Sequence, residues 1–262
     1  MPTAIQSSFT NEEIVNLTGQ FRLTAEASPD RAHSIPSALL LEDESCTAYI
    51  DRTSELFGAP PRLVAGSLFA KRYSFLTVIP ALYAMTMYDK GMDVSAGNGH
   101  VESSLRDNGT WLPKLRLTDW RVITPTDADR RAFRDEVIRT IFAENISKVW
   151  RTVSRTAKTS AATLWENTAV NVYWLYEKKI SEGASPSQLA RIRDDYAYLL
   201  TAPAALFGEK TNPLAKFDSP KRPVPDSGQP IRIRRTCCLY YRTSDEPSYC
   251  SVCPKNNHAE AT

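Results

Sequence analysis

Apolar residues recur at three- and four-residue steps through most of this chain, the spacing that puts them on one face of an α-helix. A first helix is predicted over residues 9–26. Thr10 or Asn11 caps it, and Glu12 and Glu13 fall in its first turn, where carboxylates meet the positive end of the helix dipole. A second is predicted over residues 47–57, stopped by Gly58. Pro60 and Pro61 then open a run that continues through GSLFAKRY to Tyr88. Its most apolar part, FLTVIPALYAMTMY, is too short to span a bilayer and is interrupted by Pro80, so it reads as a pair of buried helices.

The pattern changes over residues 91–125. Gly91, Gly97, Gly99 and Gly109 crowd together, and the stretches HVESSL, TWLPKLRL and DWRVIT between them have strand character. Asn108-Gly109 is a hairpin signal, so a small antiparallel sheet is predicted over residues 92–124. Helical spacing returns from residue 127, with Phe133, Val137, Ile138, Ile141, Phe142, Val149 and Trp150 on one face. After a break near Lys158, a helix is predicted over residues 161–180. Another follows over residues 187–200, with Ser185 as cap and Pro186 in the first turn. Prolines then become dense. Residues 211–229 read as an extended connector, and the alternation in IRIRRT (residues 231–236) as a short strand. The fold class is α+β, mainly helical, with a small antiparallel sheet and a C-terminal cysteine segment. The divisions are a helical α+β domain over residues 1–210, a proline-rich connector over residues 211–230, and a segment over residues 231–262 packed on the main domain.

Charge narrows the function. The net charge of +2 argues against nucleic-acid binding. The N-terminal residues lack a signal pattern, which predicts a cytoplasmic, reducing location. No GxGxxG or GxxxxGK[ST] motif is present, so no nucleotide, flavin or nicotinamide site is predicted. Cys46 lies among helical residues and reads as a core residue. His33 and His100 read as surface or turn residues.

The other four cysteines carry the chemistry: the doublet Cys237-Cys238, then Cys250-Ser-Val-Cys253. In a reducing compartment such a group is a metal site rather than two disulfides. From spacing alone, zinc and an iron–sulfur cluster both remain open. Zinc sites usually pair two CxxC knuckles, and only one is present; His258 is an alternative ligand. From Lys221 to Lys255 there are seven basic and three acidic residues. Such a cationic setting suits a negatively charged cluster and attracts anionic partners.

The segment RRTCCLYYR…CSVCP resembles the C-terminal signature of the FhuF-type ferric iron reductases, the ferric-siderophore reductase family. GSLFAKRYSFL (residues 66–76) and LWEN (residues 164–167) resemble two further blocks of that family. The eleven residues between Cys238 and Cys250 are one more than the family spacing. The resemblance implies a [2Fe–2S] cluster ligated by Cys237, Cys238, Cys250 and Cys253. It implies one-electron reduction of a ferric siderophore in the cytoplasm, with the electron drawn from a separate protein such as a ferredoxin or flavodoxin. Arg232, Arg234 and Arg235 are then candidates for contacting an anionic ferric complex or for balancing the charge of the cluster, and Lys71 and Arg72 are further candidates. Trp165 is assigned to packing, with Glu166 and Asn167 bracing the site. The competing readings are a zinc-stabilised binding domain without redox function, an electron carrier or sensor, and a fragment related to siderophore synthetases.

Overall fold

The computed structural model describes residues 4–126, 129–223, 229–243 and 248–256. Its centre is one long helix, α3 (Arg62–Tyr88), apolar almost all round and buried along most of its length. Pro80 lies inside it, so the expected pair of helices is a single element. A proline removes one backbone donor and costs about 3 kcal/mol in a helix interior. Here Pro80 is surrounded by buried Leu76, Val78, Ile79, Ala81, Leu82 and Ala84. Packing on every side, rather than propensity, keeps the helix continuous. Among the described residues no helix is long and apolar enough to cross a membrane.

Helix α1 (Asn11–Phe21) is capped by Thr10, whose hydroxyl accepts from the Glu13 N–H while the Glu13 carboxylate accepts from the Thr10 N–H. It ends at Arg22, in the left-handed conformation, and not at residue 26. Helix α2 (Asp43–Glu55) begins four residues earlier than the periodicity suggests, and it buries Cys46, Tyr49 and Ile50. The helical half resumes with α4 (Arg130–Ile141). A π-helical turn (Phe142–Ile146) joins it to α5 (Ser147–Ala157). Lys158, in the left-handed conformation, makes the predicted break. Helix α6 (Ala161–Trp174) continues into a second π turn (Leu175–Lys179), and α7 (Pro186–Thr201) starts from the Ser185 cap. The connector is not wholly extended: Pro213–Phe217 forms α8, with Pro213 in the first turn, and Leu214 and Phe217 are buried.

Strands form two small sheets rather than one. The first pairs β1 (Ala4–Ser7), β7 (Val122–Pro125) and β4 (Gly91–Met92), all antiparallel. The second orders β2 (Leu23–Thr24), β6 (Lys114–Leu117), β5 (Gly99–Glu102) and β3 (Ile35–Pro36). Its β5–β6 pair is the predicted hairpin, with Gly109 at φ 78° in the turn. Its β2–β6 pair is parallel. The N-terminal strands β1, β2 and β3 were not foreseen; two of them are two residues long and carry no period to read.

Helices α3 and α6 pack most closely, and the contact is partly polar. The Asn171 amide donates to Lys71 O at 3.1 Å and Ser74 Oγ at 2.8 Å. One turn earlier, the Asn167 amide donates to Ser67 O at 3.0 Å and Ser67 Oγ at 3.1 Å. These bonds fix how α6 is positioned along α3. Gly66 lies at the tightest point against α5 and the turn that follows it. A Cβ there would stand 2.6 Å from Thr159 Oγ1 and 2.8 Å from Ala157 Cβ. Gly66→Ala should therefore cost about 1–3 kcal/mol by overpacking. Urea denaturation checks this; an unchanged midpoint would show that the contact relaxes freely.

Candidate metal centre

The segment from Ile231 to Thr236 is not a ladder strand. Ile231 makes one isolated bridge to Arg222, and the Arg234 N–H donates to Val252 O at 3.0 Å. The reason is that its backbone donors go to a side chain. The Glu166 carboxylate, 2% exposed in the middle of α6, accepts from the N–H groups of Arg235 and Thr236, each at 2.7 Å, and from the Thr236 hydroxyl. The Arg234 guanidinium is buried beside it, 3.7 Å from the Glu166 carboxylate, and donates to Asn167 Oδ1 at 2.7 Å. Ser67 of α3 donates to Cys238 O at 2.8 Å. Helices α3 and α6 therefore grip the chain just before and within the cysteine doublet.

This grip brings the four cysteines together as two pairs. Cys237 Sγ and Cys253 Sγ are 3.9 Å apart, and Cys238 and Cys250 lie close enough to shift one another's acidity. Among the described residues, no three His, Cys, Asp or Glu side chains form a group that could hold one ion. The donor set nevertheless suits a centre with two metal atoms. Two thiolates on a tetrahedral ion with bonds of about 2.3 Å stand roughly 3.8 Å apart, close to the Cys237–Cys253 spacing. Backbone N–H groups point at the sulfurs: Leu239 to Cys237 and Lys255 to Cys253, each at 3.4 Å, and Tyr240 to Cys238. The Lys71 ammonium lies 4.0 Å from Cys238 Sγ. The Cys250 hydrogen bond first, then Lys71, the Tyr240 N–H and Arg234, pull the Cys238 thiol below its ordinary range, outweighing burial. Donating that bond, together with burial, pushes Cys250 up, and burial raises Cys237. Cys238 thus lies beside a cation and backbone donors, the environment that a metal–thiolate centre needs.

The predicted basic residues divide by role. Arg232 bonds Glu177 and Asp218, at 2.8 and 2.7 Å, and its guanidinium covers the Tyr173 ring at 4.2 Å. Arg234 is occupied as described. Arg235 is exposed, with only its backbone tied to Glu166. Lys71 faces Cys238 and the Tyr240 ring, whereas Arg72 turns away, stacked on Phe57 at 4.5 Å and bonded to Trp111 O. Burial, with Arg22 nearby, lowers the Arg72 pKa to about 10. Trp165 is packed near Phe142. Cys46 is fully buried in α2 and accepts from the Thr156 hydroxyl, apart from the metal candidates. His33 pairs with Asp30, and His100 lies on β5 with Thr118. His258 lies outside the described residues, as do residues 244–247 of the eleven between Cys238 and Cys250. Sequence reasoning did not single out Ser67 or Glu177. A usable signal for the first was the run of small residues in α3 opposite the Asn167 position.

A family model described as ferric iron reductase FhuF-like transporter matches residues 67–222, more than half of the chain. The chain belongs to this FhuF-like family. No curated protein matches it. The matched residues begin at Ser67 and include Lys71, Glu166, Asn167 and Glu177, but stop short of all four clustered cysteines. The FhuF-like region thus supplies the residues that hold the cysteine segment, and the thiols come from outside it.

Two predictions follow from this geometry. Glu166→Gln removes a charge that holds two backbone donors and a buried guanidinium, at a cost of about 2–4 kcal/mol locally. In chelator-treated protein it should speed alkylation of Cys238 and Cys253 several-fold while Cys46 stays protected, as read by mass spectrometry of labelled peptides. Equal labelling rates would show that Glu166 is not the anchor. Glu177 is the second. Burial would raise its pKa, but hydrogen bonds from Arg232, Lys221 and Tyr196 outweigh burial and hold it at about 2, against an ordinary 4.5. Its stabilising contribution is whole above pH 4.5 and is lost as the pH falls toward 2. Glu177→Gln should lower stability at neutral pH and flatten its decline across that acid window. Parallel acid-denaturation curves for the two proteins would contradict this.

Proposed function

We propose that this FhuF-like protein is a cytoplasmic ferric-siderophore reductase whose redox centre is a [2Fe–2S] cluster held by Cys237, Cys238, Cys250 and Cys253. The observation that carries the reading is the pairing of the thiols: Cys237 with Cys253 and Cys238 with Cys250, held by residues of the family region. Two pairs suit two irons with two thiolates each, whereas a single zinc requires four around one point. When bound, the cluster supplies a one-electron reductant at a potential suited to Fe(III).

The chain's own residues set the conditions for that chemistry. Glu166, Asn167 and Ser67 fix the cysteine segment. Lys71 and Arg234 place positive charge beside thiolates that are otherwise mutually repelling, which favours the more negative, reduced state. The substrate is Fe(III) in a siderophore. Hard oxygen donors hold Fe(III) far more tightly than Fe(II), so gain of one electron releases the metal. The electron comes from a separate carrier such as a ferredoxin or flavodoxin, since the sequence contains no nucleotide-binding motif. Arg235 and Lys71 are the cationic side chains beside the cysteine segment best disposed to meet an anionic partner. In this reading residues 1–210 are the reductase body, residues 211–230 the connector and residues 231–262 the cluster segment.

Anaerobic purification with iron, sulfide and zinc analysis, visible absorption and EPR tests the proposal. Two irons and two sulfides per chain, with an EPR signal on reduction and reoxidation by ferric siderophore, are expected. A colourless protein with one zinc and no sulfide, even after anaerobic reconstitution, would leave a zinc-stabilised domain instead.

A further inference from the structure

Beside the cysteine segment lies a partly open cleft of about 400 Å³. One wall is α6 and its π turn, which contribute Tyr173, Trp174, Glu177 and Lys178. The opposite wall is the segment itself, through Ile231, Arg232 and Arg234, and through Ser251 and Val252. Ser251 and Val252 are the two residues between Cys250 and Cys253. A molecule in the cleft would therefore lie against the CxxC knuckle.

The lining is apolar with an excess of positive charge. Two carboxylates of the lining, Glu166 and Glu177, with Asp218 paired to Arg232 beside it, face four cations, Lys178, Lys221, Arg232 and Arg234, which leaves one positive charge over. Both carboxylates are already satisfied. Glu166 holds the Arg235 and Thr236 backbone, and Glu177 accepts from Arg232, Lys221 and Tyr196 at 2.7–2.8 Å. Lys178 is exposed and makes no ion pair among the described residues. Trp174 is 36% exposed, an uncommon state for so large an apolar ring, and it is braced from behind by Phe75, 5.7 Å between centroids. Cleft volume, aromatic wall and one unpaired cation together describe a site for an anion with a broad apolar face.

We propose that this cleft seats the substrate and selects negatively charged ferric chelates, of catecholate or carboxylate type, over neutral hydroxamate complexes; this rests on the reductase reading above. Each catecholate brings two negative charges and each hydroxamate one, so three of them on Fe(III) give a trianion and a neutral complex respectively. The unpaired Lys178 ammonium favours the former, while Trp174 serves both.

The test uses gallium(III) complexes, which match Fe(III) in charge and are not reduced, so that binding is read apart from turnover. The full-length protein is titrated calorimetrically with gallium tris-catecholate, gallium citrate-type and gallium tris-hydroxamate complexes. At least one anionic complex should bind about tenfold more tightly than the neutral one, with affinity falling as salt is added. The tighter of the two anions identifies the chelate class. Lys178→Glu, on an exposed side chain, should weaken the anionic complex by about tenfold and leave the neutral one unchanged. Equal or tighter binding of the neutral complex, or indifference to Lys178→Glu with the fold intact by circular dichroism, would overturn the inference. Metal and sulfide analysis of the same sample separates the two readings. Anion binding without a cluster sinks the reductase and leaves the cleft standing, whereas a cluster without anion preference does the reverse.

Discussion

A single side-chain amide links the three parts of the protein that matter. Asn167 lies buried in α6; its nitrogen donates to Ser67 on α3 and its oxygen accepts from Arg234 in the cysteine segment. An amide carries two donors and an acceptor with two lone pairs, and nearly all of that capacity is used here. Leaving such a group unpaired in an apolar interior costs about 1–3 kcal/mol, so the three partners are strongly coupled. With Glu166 one residue earlier, it turns the polar side of α6 into a receptor for an otherwise irregular piece of chain.

That arrangement explains why a segment with almost no regular structure is nevertheless ordered. Short of ladder hydrogen bonds and with three arginines among them, residues 231–238 could not pack by burial alone. Charge does the work instead: a buried carboxylate satisfies backbone donors, and a buried guanidinium pairs with that carboxylate. The same charges then serve the thiols. Arg234 and Lys71 together lower the Cys238 pKa. Structural support and electrostatic tuning are one set of residues, which is economical but leaves little room for substitution.

Much of this was legible in the sequence, unevenly. Capped helices such as those opened by Thr10 and Ser185 follow from local chemistry and came out as expected. The cysteine doublet and knuckle stood out by spacing, and the structure brings Cys237 to within 3.9 Å of Cys253. What escaped was set by tertiary contact. Pro80 argued for two helices, but burial on all sides holds one. The two-residue strands β2 and β3 have too short a pattern to detect. Pro213, within the connector expected to be extended, begins a helical turn instead. For the anchors the signal was present: Glu166, Asn167 and Asn171 punctuate an otherwise apolar helix, and polar residues in such a place need partners. The resemblance assigned Glu166 and Asn167 to bracing the site; that they would hold Arg234, Arg235 and Thr236 in particular was not readable from residues so far apart along the chain.

That distance also orders events in time. Ser67 and Cys238 are 171 residues apart, so their bond can form only after residue 238 has been made, with α3 and α6 already available to dock. The cysteine segment thus closes onto a body made before it. It is fastened mainly by polar bonds on the outside of a completed apolar core. A strap held in this way can open while the body stays folded, because opening costs only its own few bonds and not the global stability. Insertion or loss of whatever the four thiols hold is therefore a local, late event, and maturation of the site is separated from folding of the protein that carries it.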